Sequence, residues 1–258
     1  MTRERRARPG RRAGDEVLDD YADEQADLRA LLVSLDDADW SRATPAAGWD
    51  VRDQVSHLAD TEDVARDSLT GGPRTFNDDV RRYPTGEAFT QSGCDRGRAM
   101  KPGDVLAWWT ESSARVRAAL AEADRSARVP WGLGMGWKAF VTARLMEHWA
   151  HGLDIRAAVD RPGVDTDRLR HVAWIGYSAL PYAFQLAGVE PPAGRTLRLE
   201  LTGPECVLGS DDATDVVRGP AGQWCRLAVQ RATRAECPDL TADGPLAELT
   251  LANARAFL

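Results

Sequence analysis

One periodic segment, running from about Lys138 to Val159, constrains the fold of this chain more than any other. Ala139, Ala143, Met146, Ala150, Leu153 and Ala157 fall on one helical row of small or apolar packing positions. A neighbouring row holds Phe140, Glu147, His151 and Asp154, and a third holds Val141, Leu145, His148 and Ile155. A helix with this much apolar surface belongs inside a helical bundle, and its polar row is carried in with it. Unpaired buried charge is expensive, so Glu147, His151 and Asp154 each need a partner. Glu147 and His151 are four residues apart and stack one turn above the other on one face. A carboxylate and an imidazole placed in this way can reach the same point in space.

Taken alone, that pair reads more simply as a salt-bridged or hydrogen-bonded helix face. A second helix changes the weighing. From about Val51 to Leu69, Val51, Val55, Leu58, Ala65 and Leu69 form an apolar row, with Asp53, His57 and Thr61 beside it. His57 therefore lies next to the core stripe. Joined to Glu147 and His151, it makes a set of two histidines and one carboxylate, which suits zinc, iron(II) or nickel and leaves coordination positions open. His148 competes: it sits about 100° round the helix from Glu147, yet at i, i+3 from His151 it could take the place of Glu147 as ligand. Asp154, three residues beyond His151, is placed to accept the other ring N–H of a ligating histidine and so to orient it. His171 is expected at the surface or in a capping role.

The rest of the chain reads as further helices followed by a change of pattern. Asp15 to about Leu35 is an amphipathic helix, with Val17, Tyr21, Leu28, Leu31, Leu32 and Leu35 along it. Residues 71 to about 102 are polar, glycine-containing and weakly periodic, and predict a flap or a poorly ordered insertion in which Cys94 could be reactive. A helix follows Pro102-Gly103-Asp104, with Leu106, Trp109, Val116 and Leu120 inward. The tryptophan- and glycine-rich segment from Val129 to Trp137 then leads into the helix that carries Glu147. A fifth helix is expected over about Thr166 to Leu186, kinked at Pro181. Beyond it, Thr196–Leu201, Glu205–Leu208 and Asp215–Arg218 read as three strands, followed by helices over about Pro220–Ala232 and Pro245–Phe257. The fold class is α+β: a helical bundle over residues 13–187 and a small α/β domain over 188–258, with a seam near Gly188 to Gly194.

Composition excludes some functions. The segment Thr2 to Arg12 carries six Arg and one Glu, and reads, with Met1, as a basic disordered tail over residues 1–12. No apolar segment follows it, so it is not a secretory signal. Of the total charge of −7, removing this tail leaves about −12 on the body, which argues against nucleic acid as the main ligand. No run approaches the roughly 18 apolar residues of a membrane span. Cys94, Cys206, Cys225 and Cys237 show no C-x-x-C spacing, so free thiols in a reducing cytoplasm are expected, with Cys225 buried in a helix.

Two of these segments carry a resemblance. Gly48-Trp49-Asp50-Val51-Arg52-Asp53-Gln54-Val55-Ser56-His57-Leu58 resembles the signature of the DinB-like, mycothiol-dependent maleylpyruvate isomerase superfamily, in which a tryptophan precedes the helix bearing the first metal histidine. Ala143-Arg144-Leu145-Met146-Glu147-His148-Trp149-Ala150-His151-Gly152-Leu153-Asp154 is similar to its second motif. Gly219-Pro220-Ala221-Gly222-Gln223-Trp224-Cys225-Arg226-Leu227, with Gln230-Arg231, resembles the C-terminal pattern of an actinobacterial subgroup of metal-binding proteins. The resemblance implies a DinB-like four-helix bundle with a metal at one end and a small α/β domain after it. It carries over His57, Glu147 and His151 as ligands and assigns no substrate-binding arginine. It further implies a metal-dependent enzyme acting on a small molecule with a low-molecular-weight thiol such as mycothiol, as a transferase or isomerase, with zinc the first choice of metal. A hydrolase, lyase or cyclase using metal-activated water is the alternative, and a non-catalytic metal- or ligand-binding module a further one. Either a monomer or a homodimer is expected.

Overall fold

Long helices alternate with short connecting pieces through the first two thirds of the chain. The computed structural model describes residues 14–256, so the basic segment 1–12 lies outside the described residues. Helix α1 spans Asp15–Val33 and α2 spans Val51–Thr70. A reciprocal cap fixes the start of α2: the Asp53 N–H donates to Asp50 at 2.8 Å, and the Asp50 N–H donates to the Asp53 carboxylate at 3.1 Å. Gly71, with φ of 71°, ends that helix in the left-handed conformation.

Residues 71–102 differ from the sequence expectation. They hold a short helix, α3 (Phe76–Asp79), and a full one, α4 (Gly86–Arg98), which Thr85 caps by accepting from Ala88 N–H at 3.1 Å. The glycines that weaken the periodic signal are those that let α4 press against α2. A Cβ on Gly93 would stand 2.8 Å from the Asp60 side chain, and one on Gly97 would overlap the Ser56 hydroxyl. Arg74 ties down the start of the segment, donating to both Asp60 oxygens at 2.8 and 3.0 Å and to Asp79 at 2.9 Å. Cys94 is consequently fully buried, and burial pushes its thiol up to about 12, so the expected reactivity is corrected.

Helix α5 (Pro102–Glu122) and a hairpin of β1 (Arg128–Val129) and β2 (Met135–Gly136) lead into α6 (Trp137–Ala158). Helices α1, α2, α5 and α6 pack on one another as the expected four-helix bundle. The predicted fifth helix is two, α7 (Leu169–Ser178) and α8 (Leu180–Ala187), with Pro181 in the first turn of α8 where its missing N–H costs nothing. The C-terminal part is a sheet of β3 (Leu197–Thr202), β4 (Cys206–Leu208), β5 (Asp215–Pro220) and β6 (Thr241–Asp243), in the order β4-β3-β5-β6. Strand β3 runs parallel to β5, and the other pairs are antiparallel. Helix α9 (Ala221–Ala228) follows β5 in the connection to its antiparallel neighbour β6; α10 (Pro245–Asn253) comes last. The β6 strand was not expected, because Thr241-Ala242-Asp243 holds no large apolar residue, whereas the equally short β4 carries Val207 and Leu208.

One apolar core runs from Tyr21 and Leu145 in the bundle to Trp224 and Leu246 beyond it. Helix α7 makes the join. The Trp224 indole donates to the Ala173 carbonyl at 3.2 Å, and Gly176 gives α9 room, since a Cβ there would lie 2.9 Å from Ala228. A second cluster, including Leu32, Val51, Trp109 and Ile155, fills the other end of the bundle. Among the described residues no helix is long and apolar enough to cross a membrane.

Candidate metal centre

Helices α2 and α6 bring His57, Glu147 and His151 together, and one donor atom from each lies within 4.8 Å of the other two. Glu147 Oε2 stands 3.3 Å from His151 Nε2 and 3.8 Å from His57 Nε2. Both histidines are buried, whereas Glu147 is half-buried and marks the side on which the cluster meets the surface. The loop before α2 supplies a cover. The Trp49 ring sits 5.2 Å from the His57 ring and stacks on that of His151 at 6.1 Å.

A chain of hydrogen bonds fixes how His151 faces Glu147. The Thr44 hydroxyl donates to the Trp49 carbonyl at 2.9 Å, which leaves its oxygen to accept from the Gln54 amide nitrogen at 2.9 Å. Gln54 Oε1 is thereby turned toward His151 Nδ1, at 2.5 Å. That carbonyl oxygen is an acceptor only, so Nδ1 carries a proton, and Nε2 is the nitrogen left to face the Glu147 carboxylate and, in the neutral imidazole, to bind a metal. Burial alone would raise the pKa of Glu147, but His151, His57 and the Arg144 cation together hold it well below the usual carboxylate range. Burial lowers His57 to about 4, so its imidazole is neutral at neutral pH. Nε2 of His151, Nε2 of His57 and the Glu147 carboxylate thus converge on one spot from two helices. A cation satisfies such a set, and the residues present fit a divalent metal.

The adjacent histidine sits in a different environment. His148 Nδ1 lies 2.8 Å from the Arg144 carbonyl, and its Nε2 lies 3.1 Å from the Trp109 indole nitrogen. Indole only donates, so Nε2 accepts and Nδ1 is the protonated nitrogen. Burial lowers His148 to about 4 as well. Both ring nitrogens are occupied, which removes His148 as a substitute for Glu147. Below it, Arg144 donates to Glu62 at 2.8 Å and to the Thr61 hydroxyl at 3.0 Å, and Tyr21 donates to the other Glu62 oxygen.

Asp154 lies elsewhere than its row suggests. Its carboxylate is gripped by Arg231 through Nε at 2.9 and 3.0 Å and a terminal nitrogen at 2.7 Å. Gln54, not Asp154, occupies the orienting position on His151. His171, expected at the surface or in a capping role, is buried against Asp20 at 2.9 Å. The sequence carried one signal for Gln54: it stands three residues before His57, on the same side of α2. For Tyr21 and Glu62 it carried none, since their roles depend on which helices become neighbours.

The model of the mycothiol maleylpyruvate isomerase N-terminal domain matches residues 21–156, a span that holds all three cluster residues. Two Mycobacterium tuberculosis proteins, the uncharacterized proteins MT0041 and Rv0036c, are each 33% identical to this chain over 244 residues, which is 92% of this chain and 93% of theirs. Crystal structures of the mycothiol-dependent maleylpyruvate isomerase and of a histidine-to-alanine mutant of it share the fold. They superpose with a TM-score of 0.61 at 19% and 18% identity, covering 95% of this chain and 97% of theirs.

Proposed function

The chain belongs to the mycothiol maleylpyruvate isomerase N-terminal domain family, and on that premise we propose that it is a metal-dependent enzyme using a low-molecular-weight thiol, mycothiol or one like it, on a small molecule. The observation that supports this most is the convergence of His57, Glu147 and His151 on one spot, with Gln54 holding the far nitrogen of the His151 ring. These three residues would hold the metal. Two imidazoles and one carboxylate favour zinc, with iron(II) and nickel also compatible. When bound, such a cation supplies the Lewis acidity that lets a thiol or water lose its proton near neutral pH.

The other residues have distinct parts. Gln54 fixes the tautomer and ring plane of His151, and Trp49 covers both imidazoles and keeps water from that side. Arg144 adds positive potential that keeps Glu147 ionised. The half-buried Glu147 marks the side from which small molecules approach. A thiol nucleophile delivered there serves a transferase if it stays on the product, and an isomerase if it leaves again.

The test is thiol dependence. The metal-loaded protein is assayed against a panel of activated-alkene electrophiles with mycothiol, with cysteine and with no thiol. Turnover is expected only with a thiol, and His57→Ala should abolish it. Equal product formation without thiol would remove the thiol reading and favour metal-activated water.

A further inference from the structure

A cleft of about 790 Å³ lies where the second half of α6 meets α9, α10 and the 160–163 turn, and none of the three metal-centre residues lines it. Its walls are largely apolar, with Leu153 and Ala157 from α6 facing Leu227 and Leu251. Its charges are unbalanced. Asp154 is matched by Arg231, and Glu236 accepts from the Thr233 N–H and hydroxyl, both at 2.8 Å. Arg226, also on the wall, is matched by Asp165 at 2.8 and 2.9 Å. Two arginines have no carboxylate. Arg234 donates only to the Cys237 and Leu240 carbonyls, at 2.7 and 2.9 Å. The Arg156 guanidinium makes no hydrogen bond or ion pair among the described residues; it lies within electrostatic reach of Glu24, which Arg168 already holds.

Arg156 is also held in place. The turn after α6 rests on its side chain at Gly163, where a Cβ would lie 2.9 Å from Cδ and 3.0 Å from Nε. The same turn is anchored beyond Gly163 by the Asp165–Arg226 pair. Two guanidinium groups without a carboxylate partner thus share this wall with a single carboxylate that has no cation partner, Glu236, and leave the cleft with a net positive balance. A positioned but unmatched guanidinium loses little freedom when it takes up an oxyanion, and its fork geometry suits carboxylate and phosphate alike.

We propose that this cleft binds a small organic anion, with its carboxylate or phosphate on Arg156 and Arg234 and an apolar body against Leu153, Leu227 and Leu251. The site is separate from the metal centre and does not rest on the thiol reading. Asp154 and Arg231 border it, one helical turn from His151, so an occupant would sit against the junction of the bundle and the C-terminal sheet.

Calorimetric titration of the full chain tests this, with hexanoate, hexyl phosphate, hexanol and acetate as probes. Hexanoate or hexyl phosphate should bind at least about tenfold more tightly than hexanol or acetate, the former reporting the charge and the latter the body. The comparison between the two anions identifies the preferred head group. Arg156→Ala and Arg234→Ala should each weaken the better anion about tenfold, as loss of a charge-assisted hydrogen bond does. His151→Ala should leave it unchanged. If the double variant does not fold, the wild-type response to added salt decides: anion affinity should fall while hexanol binding stays constant. Undiminished anion binding in the folded double variant, no salt response, or loss of binding in His151→Ala would overturn the proposal.

Discussion

Glu147 and His148 are consecutive on α6, yet they belong to two different kinds of polar interior. On one side, Tyr21, Glu62, Arg144, His148 and Trp109 match donor to acceptor, and each ring nitrogen of His148 has a partner of the right kind. On the other, His57, Glu147 and His151 converge on one spot from two helices, and Gln54 takes the Nδ1 proton of His151 so that Nε2 faces Glu147. Burial depresses both His57 and His148 to about 4, so depth does not separate the two sides. Complementarity does. A buried polar cluster in which each donor has its own acceptor is a piece of scaffold, whereas two imidazole nitrogens and a carboxylate meeting at one spot suit a cation.

The comparison can be broken from either side. The largest effect should come from His151→Ala, which removes one of three donors. Divalent metal affinity should fall by more than about 100-fold, beyond the range of outer-shell losses, with the helical circular dichroism intact. His148→Ala should leave metal content near that of the wild type, and the reverse ranking would exchange the roles of the two histidines. Next comes Glu62→Ala, which strands the buried Arg144 cation. Stability measured by urea unfolding should drop by about 3–5 kcal/mol. A loss below about 1 kcal/mol would show that the network is not the scaffold described.

A third effect depends on pH. His148 has a folded-state pKa of about 4, below the ordinary 6.5, so the unfolded chain binds more protons between those values. Stability should therefore be level above pH 6.5 and decline as the pH falls toward 4, by on the order of 3 kcal/mol for a fully buried imidazole. The decline should be shallower in His148→Gln, measured in metal-free protein; identical slopes would place the titration elsewhere. The smallest effect is expected for Gln54→Leu, which frees the His151 ring. Metal affinity should weaken by roughly 10- to 100-fold with little change in stability.

Much of this was legible in the sequence, for reasons that can be traced. Long periodic helices such as α2 and α6 announce themselves through repeated apolar rows, and a Glu and a His one turn apart fall on one face whatever the tertiary structure. The α4 helix was hidden because Gly93 and Gly97, which lower helix propensity, are needed for its close approach to α2. Asp154 lies on the same row as His151, but its partner Arg231 comes 77 residues later, and only the packing of the C-terminal part brings it in. Gln54 was within reach of the spacing argument, whereas the match of Glu62 to Arg144 was not. The join between the bundle and the C-terminal part was also invisible, since Ala173 and Gly176 look like ordinary helix positions until Trp224 is seen against them.

The central claim is that the His57–Glu147–His151 cluster holds a cation, and metal analysis combined with X-ray absorption on the purified protein tests it most directly. The account predicts about one divalent transition metal per chain, with two imidazole nitrogens and a carboxylate oxygen as its protein ligands, and none in His151→Ala. A folded and fully active protein without metal, or a metal retained undiminished in His151→Ala, would contradict it.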